Sequence, residues 1–308
     1  MKNKTFYSHG KLLISGEYVV LDGALSLAVP THYGQSLIIE PIEDKKLVWK
    51  SFDLLKNVWF ECEFEITANH LLKSNKKEDH IATRLIQILN AVKELNTSFL
   101  NDGHGFKVET HLEFPNNWGL GTSSTLINNI AQWAKVDAFK LLEKTFGGSG
   151  YDIACAQNST AITYQIINHK RHVKFVDFNP SFKDRLYFVY LNKKQNSRDG
   201  IKHYHDNKNN SKSTVDTINT ITLKMSEAET LEDFQALMIK HETIIANITK
   251  QTPVKESLFN DFNGSIKSLG AWGGDFILVA SKTDPTPYFK GKGYDTILPY
   301  SDMVIQQP

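Results

Sequence analysis

Residues 106–134 join an alternating run, a glycine-rich turn and a helix-period run in one continuous stretch, and that order leaves few folds open. Phe106, Val108, Leu112 and Phe114 are apolar at period two with Thr110 in phase, the pattern of a half-buried strand. Leu126, Ile127, Ile130, Ala131, Trp133 and Ala134 are spaced as one face of a helix. Between them lies Pro115-Asn116-Asn117-Trp118-Gly119-Leu120-Gly121-Thr122-Ser123-Ser124-Thr125. A strand-to-helix turn collects free backbone N–H groups and the positive end of the helix dipole, which suits an anion, phosphate above all. Gly119 and Gly121 let the backbone come close to such a ligand, while Thr122, Ser123 and Ser124 offer hydroxyls to phosphate oxygens or a metal. The competing reading is an ordinary helix start, since Ser and Thr are favoured caps anywhere. A Walker-type loop is excluded because GxxxxGK[ST] is absent, and Gly119-Leu120-Gly121 lacks the third glycine of a dinucleotide fingerprint.

Two further segments narrow the reading. The N-terminus carries Ser8-His9-Gly10-Lys11-Leu12-Leu13-Ile14-Ser15-Gly16-Glu17-Tyr18, and Gly147-Gly148-Ser149-Gly150-Tyr151-Asp152-Ile153-Ala154 follows the Gly-Leu-Gly helix. Together the segments resemble the GHMP kinases, the superfamily of galactokinase, homoserine kinase, mevalonate kinase and phosphomevalonate kinase. The first is similar to that family's opening GK-hydrophobic-GE segment, the second to its P-x-x-x-G-L-G-S-S phosphate loop. The third is similar to the block that carries the catalytic aspartate in the mevalonate branch. Gly150-Tyr151-Asp152-Ile153-Ala154 resembles the signature of the GYDIA subgroup. Ser268-Leu269-Gly270-Ala271-Trp272-Gly273-Gly274-Asp275-Phe276 stands where the C-terminal glycine motif belongs, with Trp272 and Asp275 interrupting a run that is normally small.

The resemblance implies an α+β, two-subdomain GHMP kinase fold. Its N-terminal domain would be like the second domain of ribosomal protein S5 and its C-terminal domain ferredoxin-like, with ATP and Mg²⁺ in the cleft between them. A soft boundary at Asp177-Phe178-Asn179-Pro180 divides residues 1–178 from 179–308. Asp152 is the expected proton acceptor, and Lys11 its partner, holding it ionised and stabilising charge in the transition state. Gly119, Leu120, Gly121, Thr122, Ser123 and Ser124 are expected on the nucleotide. Ser123 matches the second Ser of the loop and is the expected Mg²⁺ hydroxyl. Leu141 occupies the usual offset of the metal-binding glutamate, so Glu143 is the near neighbour taken as its substitute. Glu17, Tyr18, Gly273 and Gly274 are expected around the substrate. Tyr18 stands where mevalonate kinases usually have His and phosphomevalonate kinases more often have Tyr. Ser197 and Arg198 follow a strand where the family often has a substrate-side loop, and Arg suits bidentate contact with a carboxylate or phosphate. The expected acceptor is a hydroxy acid, mevalonate first, with phosphomevalonate or homoserine as alternatives. A GHMP-like protein that binds nucleotide or a partner without catalysis stays open.

Composition is compatible with an ordinary enzyme. The 308 residues allow one large or two medium domains, and 41% hydrophobic with 22% charged residues is globular usage. A net charge of +1 gives no global field toward nucleic acid or an anionic membrane. Cys62 and Cys155 are too few for a disulfide framework or zinc site. No apolar run approaches membrane-spanning length, and no apolar signal core follows Met1, so a reduced, cytoplasmic protein is expected; a homodimer is left open.

Along the chain, Leu12–Val20 and Ser36–Glu40 read as strands around turns at Asp22-Gly23 and Pro30. Trp49, Trp59, Phe60, Phe64 and Ile66 indicate hairpin strands. Asp79 opens a helix with Ile81, Leu85, Ile88, Leu89, Val92 and Leu95 on one face. Ala161–Ile167, Leu186–Leu191 and Phe276–Ala280 read as strands, and 231–248 as a long amphipathic helix. Residues 192–214 are polar and read as a mobile loop leading into a helix. The basic run there and the His203/His205 pair read as solvated side chains, because a third metal ligand is missing at suitable spacing. His241 is in phase with an apolar face and reads as a packed core histidine.

Overall fold

The structure, a computed structural model, describes residues 3–66, 72–74, 79–101, 103–207 and 212–306. Contacts divide the chain into two compact units that it enters repeatedly: residues 1–10, 33–116 and 121–157 form the first, and residues 11–32, 117–120 and 158–308 the second. This division by contacts is interleaved along the chain. β1 (Lys4–Ser15) and β2 (Ser26–Ile42) each run from one unit into the other.

In the first unit, β3 (Lys46–Phe52), β4 (Val58–Ile66), β5 (Leu72–Ser74) and β6 (Gly105–Leu112) extend β2 into the order β5-β4-β3-β6-β2. β3 pairs parallel with β6, while β2/β6 and β3/β4 are antiparallel. The alternation at 106–112 is realised residue by residue: Phe106, Val108, Thr110 and Leu112 are buried, and Lys107, Glu109 and His111 are partly exposed. Helices α1 (His80–Leu95), α2 (Thr122–Ala134), α3 (Ala138–Thr145) and α4 (Tyr151–Ala156) complete the unit. Leu37, Trp49, Phe64, Leu89, Ile130 and Ile153 lie in one apolar cluster. Burial of each such side chain contributes roughly 1.5–3 kcal/mol.

The second unit contains β7 (Ile162–Ile167), which pairs with Ser26–Ala28 of β2 and with β8 (Lys170–Phe175). It continues with β9 (Leu186–Tyr190), α5 (Ser197–Asn207), α6 (Lys212–Ser226), α7 (Leu231–Thr249), α8 (Val254–Leu258), β10 (Ser265–Ser268), β11 (Phe276–Ala280), α9 (Thr286–Gly291), β12 (Ile297–Pro299) and α10 (Tyr300–Met303). The second sheet runs β10-β11-β9-β12, all antiparallel. With helices after β9 and before β12, this is the β–α–β–β–α–β order of a split β–α–β sheet. Its alternate residues Val189, Ile277 and Val279 enter one apolar cluster with Phe259 and Phe289. Among the described residues no helix is long and apolar enough to cross a membrane, and Cys62 and Cys155 are buried and form no disulfide.

Three local expectations are corrected. The first strand ends at Ser15, and Val19–Asp22 is a 3-10 turn. Gly16 at φ +89 redirects the chain where a Cβ would come within 2.7 Å of the Ser26 Cβ. Pro30 marks no turn. It lies inside β2, between the stretches that pair with β7 and β6, where neither ladder calls for the missing amide. Much of the supposed loop at 192–214 is helical. Tyr204 anchors α5, fully buried, with its hydroxyl donating to Asp22 Oδ2 at 2.6 Å.

Candidate functional site

Some helices of this chain start on a side-chain cap and others, such as α8, α9 and α10 after Pro253, Pro285 and Pro299, start without one. At α1, Asp79 accepts from the N–H groups of Ile81 and Ala82; at α3, Asp137 accepts from Phe139 and Lys140; at α7, Thr230 accepts from Asp233. α2 begins instead on Gly121 in the left-handed region at φ +96, with no side-chain cap. The hydroxyls nearby do not fill that role. Ser124 is buried and donates back to the Gly121 carbonyl at 2.8 Å, so it is turned inward rather than offered to a ligand as the sequence suggested. Thr125 donates within reach of the same carbonyl and to Gln35 Oε1 at 2.7 Å. Thr122 is partly exposed and Ser123 fully so. The first-turn N–H groups of α2 are thus left uncapped by side chains, an arrangement that suits an anion.

α4 also starts on a left-handed glycine, Gly150 at φ +90, but there the Tyr151 N–H donates to Ser149 Oγ at 3.5 Å; Asp152 stands partly exposed in the first turn. A polar chain, buried except at the exposed Gln157, ties α4 to α2 within the first unit. Gln157, at the end of α4, donates to Asn128 Oδ1 at 3.1 Å, and Asn128 donates to Ser8 Oγ at 2.8 Å. Ser8 donates to Asn129 Oδ1 at 2.7 Å, and Asn129 donates to the Gln35 carbonyl at 2.8 Å. Every member has a partner, the condition under which a buried polar network stiffens a fold. It sets Asp152's helix against the helix of the glycine turn. Sequence reasoning missed Asn128 and Asn129, although two adjacent amides on the apolar side of a helix were a visible signal. Glu143 is exposed on α3. Among the described residues no group of three or more His, Cys, Asp or Glu is arranged to hold a metal.

The second unit gathers the other half of the motifs. Lys11 donates its backbone N–H to the Leu120 carbonyl at 2.9 Å and its ammonium to the Gly119 carbonyl at 3.1 Å. Leu120 is fully buried, so its contribution to any ligand is through its backbone. Asp275 packs its carboxylate on Gly119, where a Cβ would lie 2.5 Å from Oδ2. Trp118 meets Phe276 edge to face at 5.3 Å, and Tyr190 donates to the Asn117 carbonyl at 3.0 Å. Lys11 belongs to this unit and Asp152 to the other, each with its own neighbours.

The remaining expected residues fall into distinct settings. Glu17 is 1% exposed, with Oε1 on the ammonium of the fully buried Lys267 and Oε2 3.3 Å from His241 Nε2. It faces the interior. Gly16 donates its N–H to His241 Nε2 at 2.9 Å, and burial holds the His241 pKa well below the ordinary imidazole value, so this ring is neutral. Glu242 accepts from the Ser268 N–H at 3.1 Å and hydroxyl at 2.8 Å, and burial pushes its pKa up to about 7. Burial raises the Glu17 pKa as well, against the lowering effect of Lys267. These groups clamp the Gly16-Glu17 segment to the strand that leads into the C-terminal glycine motif. Tyr18 is buried at φ +62, stacks on Tyr204 with centroids 5.4 Å apart, and accepts from the Trp272 N–H at 3.1 Å. It too supports that motif. Gly273 is exposed, whereas Gly274 is buried against the Lys193 carbonyl. Ser197 and Arg198 open α5, and their side chains lie outside the described residues. His203 contacts the Thr249 carbonyl at 2.6 Å.

A scan against protein-family models finds no match, and neither does a search of curated proteins. Solved structures do match over nearly the whole chain. The Methanococcus jannaschii mevalonate kinase aligns with TM-score 0.70 and 15% identity, covering 96% of this chain and 97% of that one. A Streptococcus pneumoniae phosphomevalonate kinase, solved with phosphomevalonate and AMPPNP, gives 0.68 and 14%, covering 94% and 95%. A Lactococcus lactis galactokinase complexed with galactose gives 0.69 and 14%, covering 99% and 94%. With the motif order and the two sheets already described, this likeness establishes that the chain has the α+β fold of the GHMP kinases.

Proposed function

We propose that this protein is an ATP-dependent kinase that transfers the γ-phosphate to the hydroxyl of a small hydroxy acid, mevalonate first, with phosphomevalonate or homoserine as alternatives. One observation carries the reading: α2 starts on an uncapped left-handed glycine and is tied by the Gln157–Asn128 bond to the helix bearing Asp152. Those donors fit a polyphosphate. Mg²⁺, when bound with the nucleotide, neutralises phosphate charge, and the exposed Ser123 hydroxyl is the group available to it in the first turn. Lys11, fixed by the carbonyls of Gly119 and Leu120, offsets charge on the phosphates. Asp152 receives or orients the acceptor's proton. Mevalonate and phosphomevalonate kinases among the similar structures support this choice of acceptor class.

A second reading, nucleotide binding without turnover, is favoured by one fact: Glu143, the expected metal carboxylate, stands exposed on α3. Incubation with ATP-Mg²⁺ and, in turn, mevalonate, phosphomevalonate, homoserine, galactose and shikimate separates the two. ADP release with one acid supports the kinase. Calorimetric ATP binding with turnover on none supports the second reading, and no ATP binding at all sinks both.

A further inference from the structure

We infer that Asp275 is a specificity-determining residue that makes the glycine turn prefer a polyphosphate carrying a divalent cation over a bare one. The inference rests on the nucleotide reading above, and all of its geometry lies in the second unit. Asp275 interrupts the C-terminal glycine motif at φ +52, a conformation that L residues other than Asn and Asp seldom take. Its backbone over-determines that strain: its N–H donates to the Lys193 carbonyl at 2.7 Å, and its carbonyl accepts from Leu191 at 2.8 Å. Oδ1 accepts from the Gln195 N–H at 3.1 Å. The carboxylate so held is pressed on the α-carbon of Gly119, whose carbonyl receives the Lys11 ammonium. Burial raises its pKa, while Lys11 and then Lys194 pull the other way.

The turn therefore already holds an anion beside its own cation. A phosphate seated on Gly119 and reached by Lys11 comes within the ~4–6 Å at which like charges disfavour one another. Free ATP brings its full charge to that position, whereas a chelated divalent cation removes much of it. Repulsion from Asp275 thus falls more heavily on the free nucleotide. The bland alternative is that Asp275 only caps the 193–195 turn. Asparagine separates the two, because its Oδ1 still accepts from Gln195 while the charge is gone.

Calorimetric titration of wild type and Asp275→Asn with ATP in EDTA, with ATP in excess Mg²⁺, and with inorganic tripolyphosphate in EDTA tests the idea. Asp275→Asn is expected to tighten metal-free ATP and tripolyphosphate by about tenfold, a change of ~1.4 kcal/mol, and Mg-ATP by about threefold or less. Its melting temperature should stay at the wild-type value, with Asp275→Gly as a control that loses both charge and cap. An unchanged ratio of free to chelated affinity overturns the proposal and leaves a cap. Equal weakening of both forms overturns it too. If wild type and variant bind neither form, the kinase reading falls and takes this inference with it, an outcome distinct from an unchanged ratio.

Discussion

Asp152 and Gly119 show how much one position can carry in this chain. Asp152 is partly exposed in the first turn of a helix held by the Gln157–Asn128 bond, so replacing its charge should leave the scaffold alone. Asp152→Asn is expected to cut turnover by on the order of 10²–10⁴-fold while ATP affinity stays near wild type; steady-state kinetics beside titration calorimetry checks this, and retained activity would remove Asp152 as the proton acceptor. Gly119 is constrained twice, by φ +69 and by the Asp275 carboxylate at its α-carbon. Gly119→Ala should therefore destabilise by roughly 1–3 kcal/mol. Adding Asp275→Gly should recover the part due to the clash and leave the part due to φ, a coupling that a double-mutant cycle in urea resolves. Simple additivity would mean the two residues do not press on each other.

At the scale of elements, the contrast between capped and uncapped helices makes a prediction of its own. Asp79 satisfies two N–H groups at the start of α1, so Asp79→Ala is expected to cost about 1 kcal/mol and lower the melting temperature without touching ATP-induced stabilisation. Gly121→Val should abolish the ATP-induced rise in melting temperature. It should also lower the unliganded melting temperature, because a β-branched residue is strained at φ +96. A Gly121→Val protein that ATP still stabilises would return α2 to the status of an ordinary helix. Thermal scans of both variants with and without ATP-Mg²⁺ give the answer. The same scale explains an error of sequence reading. Residues 192–214 lack an apolar stripe, yet the single buried ring of Tyr204, stacked on Tyr18 and bonded to Asp22, seats α5. One tertiary anchor outweighs a weak local pattern.

For the whole molecule, the buried Glu17–Lys267–His241–Glu242 group couples stability to pH. Glu242 titrates near 4.5 in an unstructured chain and at about 7 when folded. The folded state therefore holds that proton more tightly, and the associated stability is complete below pH ~4.5 and lost as pH rises through ~7. Glu17 acts in the same sense, its pKa being raised by burial. His241 acts oppositely: its folded pKa is lowered, so its contribution is present above pH ~6.5 and lost on acidification. Between pH ~4.5 and ~7 the Glu242 contribution therefore declines while that of His241 is completed by pH ~6.5, and above pH ~7 Glu242 adds no further slope. Glu242→Gln should flatten the stretch between pH ~4.5 and ~7, removing a decline on the order of 3 kcal/mol there, and leave the slope above pH ~7.5 unchanged. Urea melts from pH 5 to 8.5 on both proteins measure it; parallel curves would show that Glu242 is charged in the folded state throughout.

The strand, the glycine turn and the helix at 106–134 were legible because each is a local pattern: alternation, φ freedom and a 3.6-residue period act on neighbours in the chain. The same holds for α1 with its Asp79 cap, for the long helix α7, and for the motif order that resembles the GHMP kinases. Tertiary structure decided what the individual polar residues do. Glu17 and Ser124, expected to face a ligand, are turned inward, Glu17 Oε1 toward a distant lysine and the Ser124 hydroxyl toward a nearby carbonyl. Lys267 and Glu242 become each other's buried surroundings, and Asp275 becomes the neighbour of Gly119, 156 residues apart in number (275 − 119) and in contact in space. A side chain's partner depends on which distant segments the fold brings beside it, and no periodicity along the chain encodes that meeting.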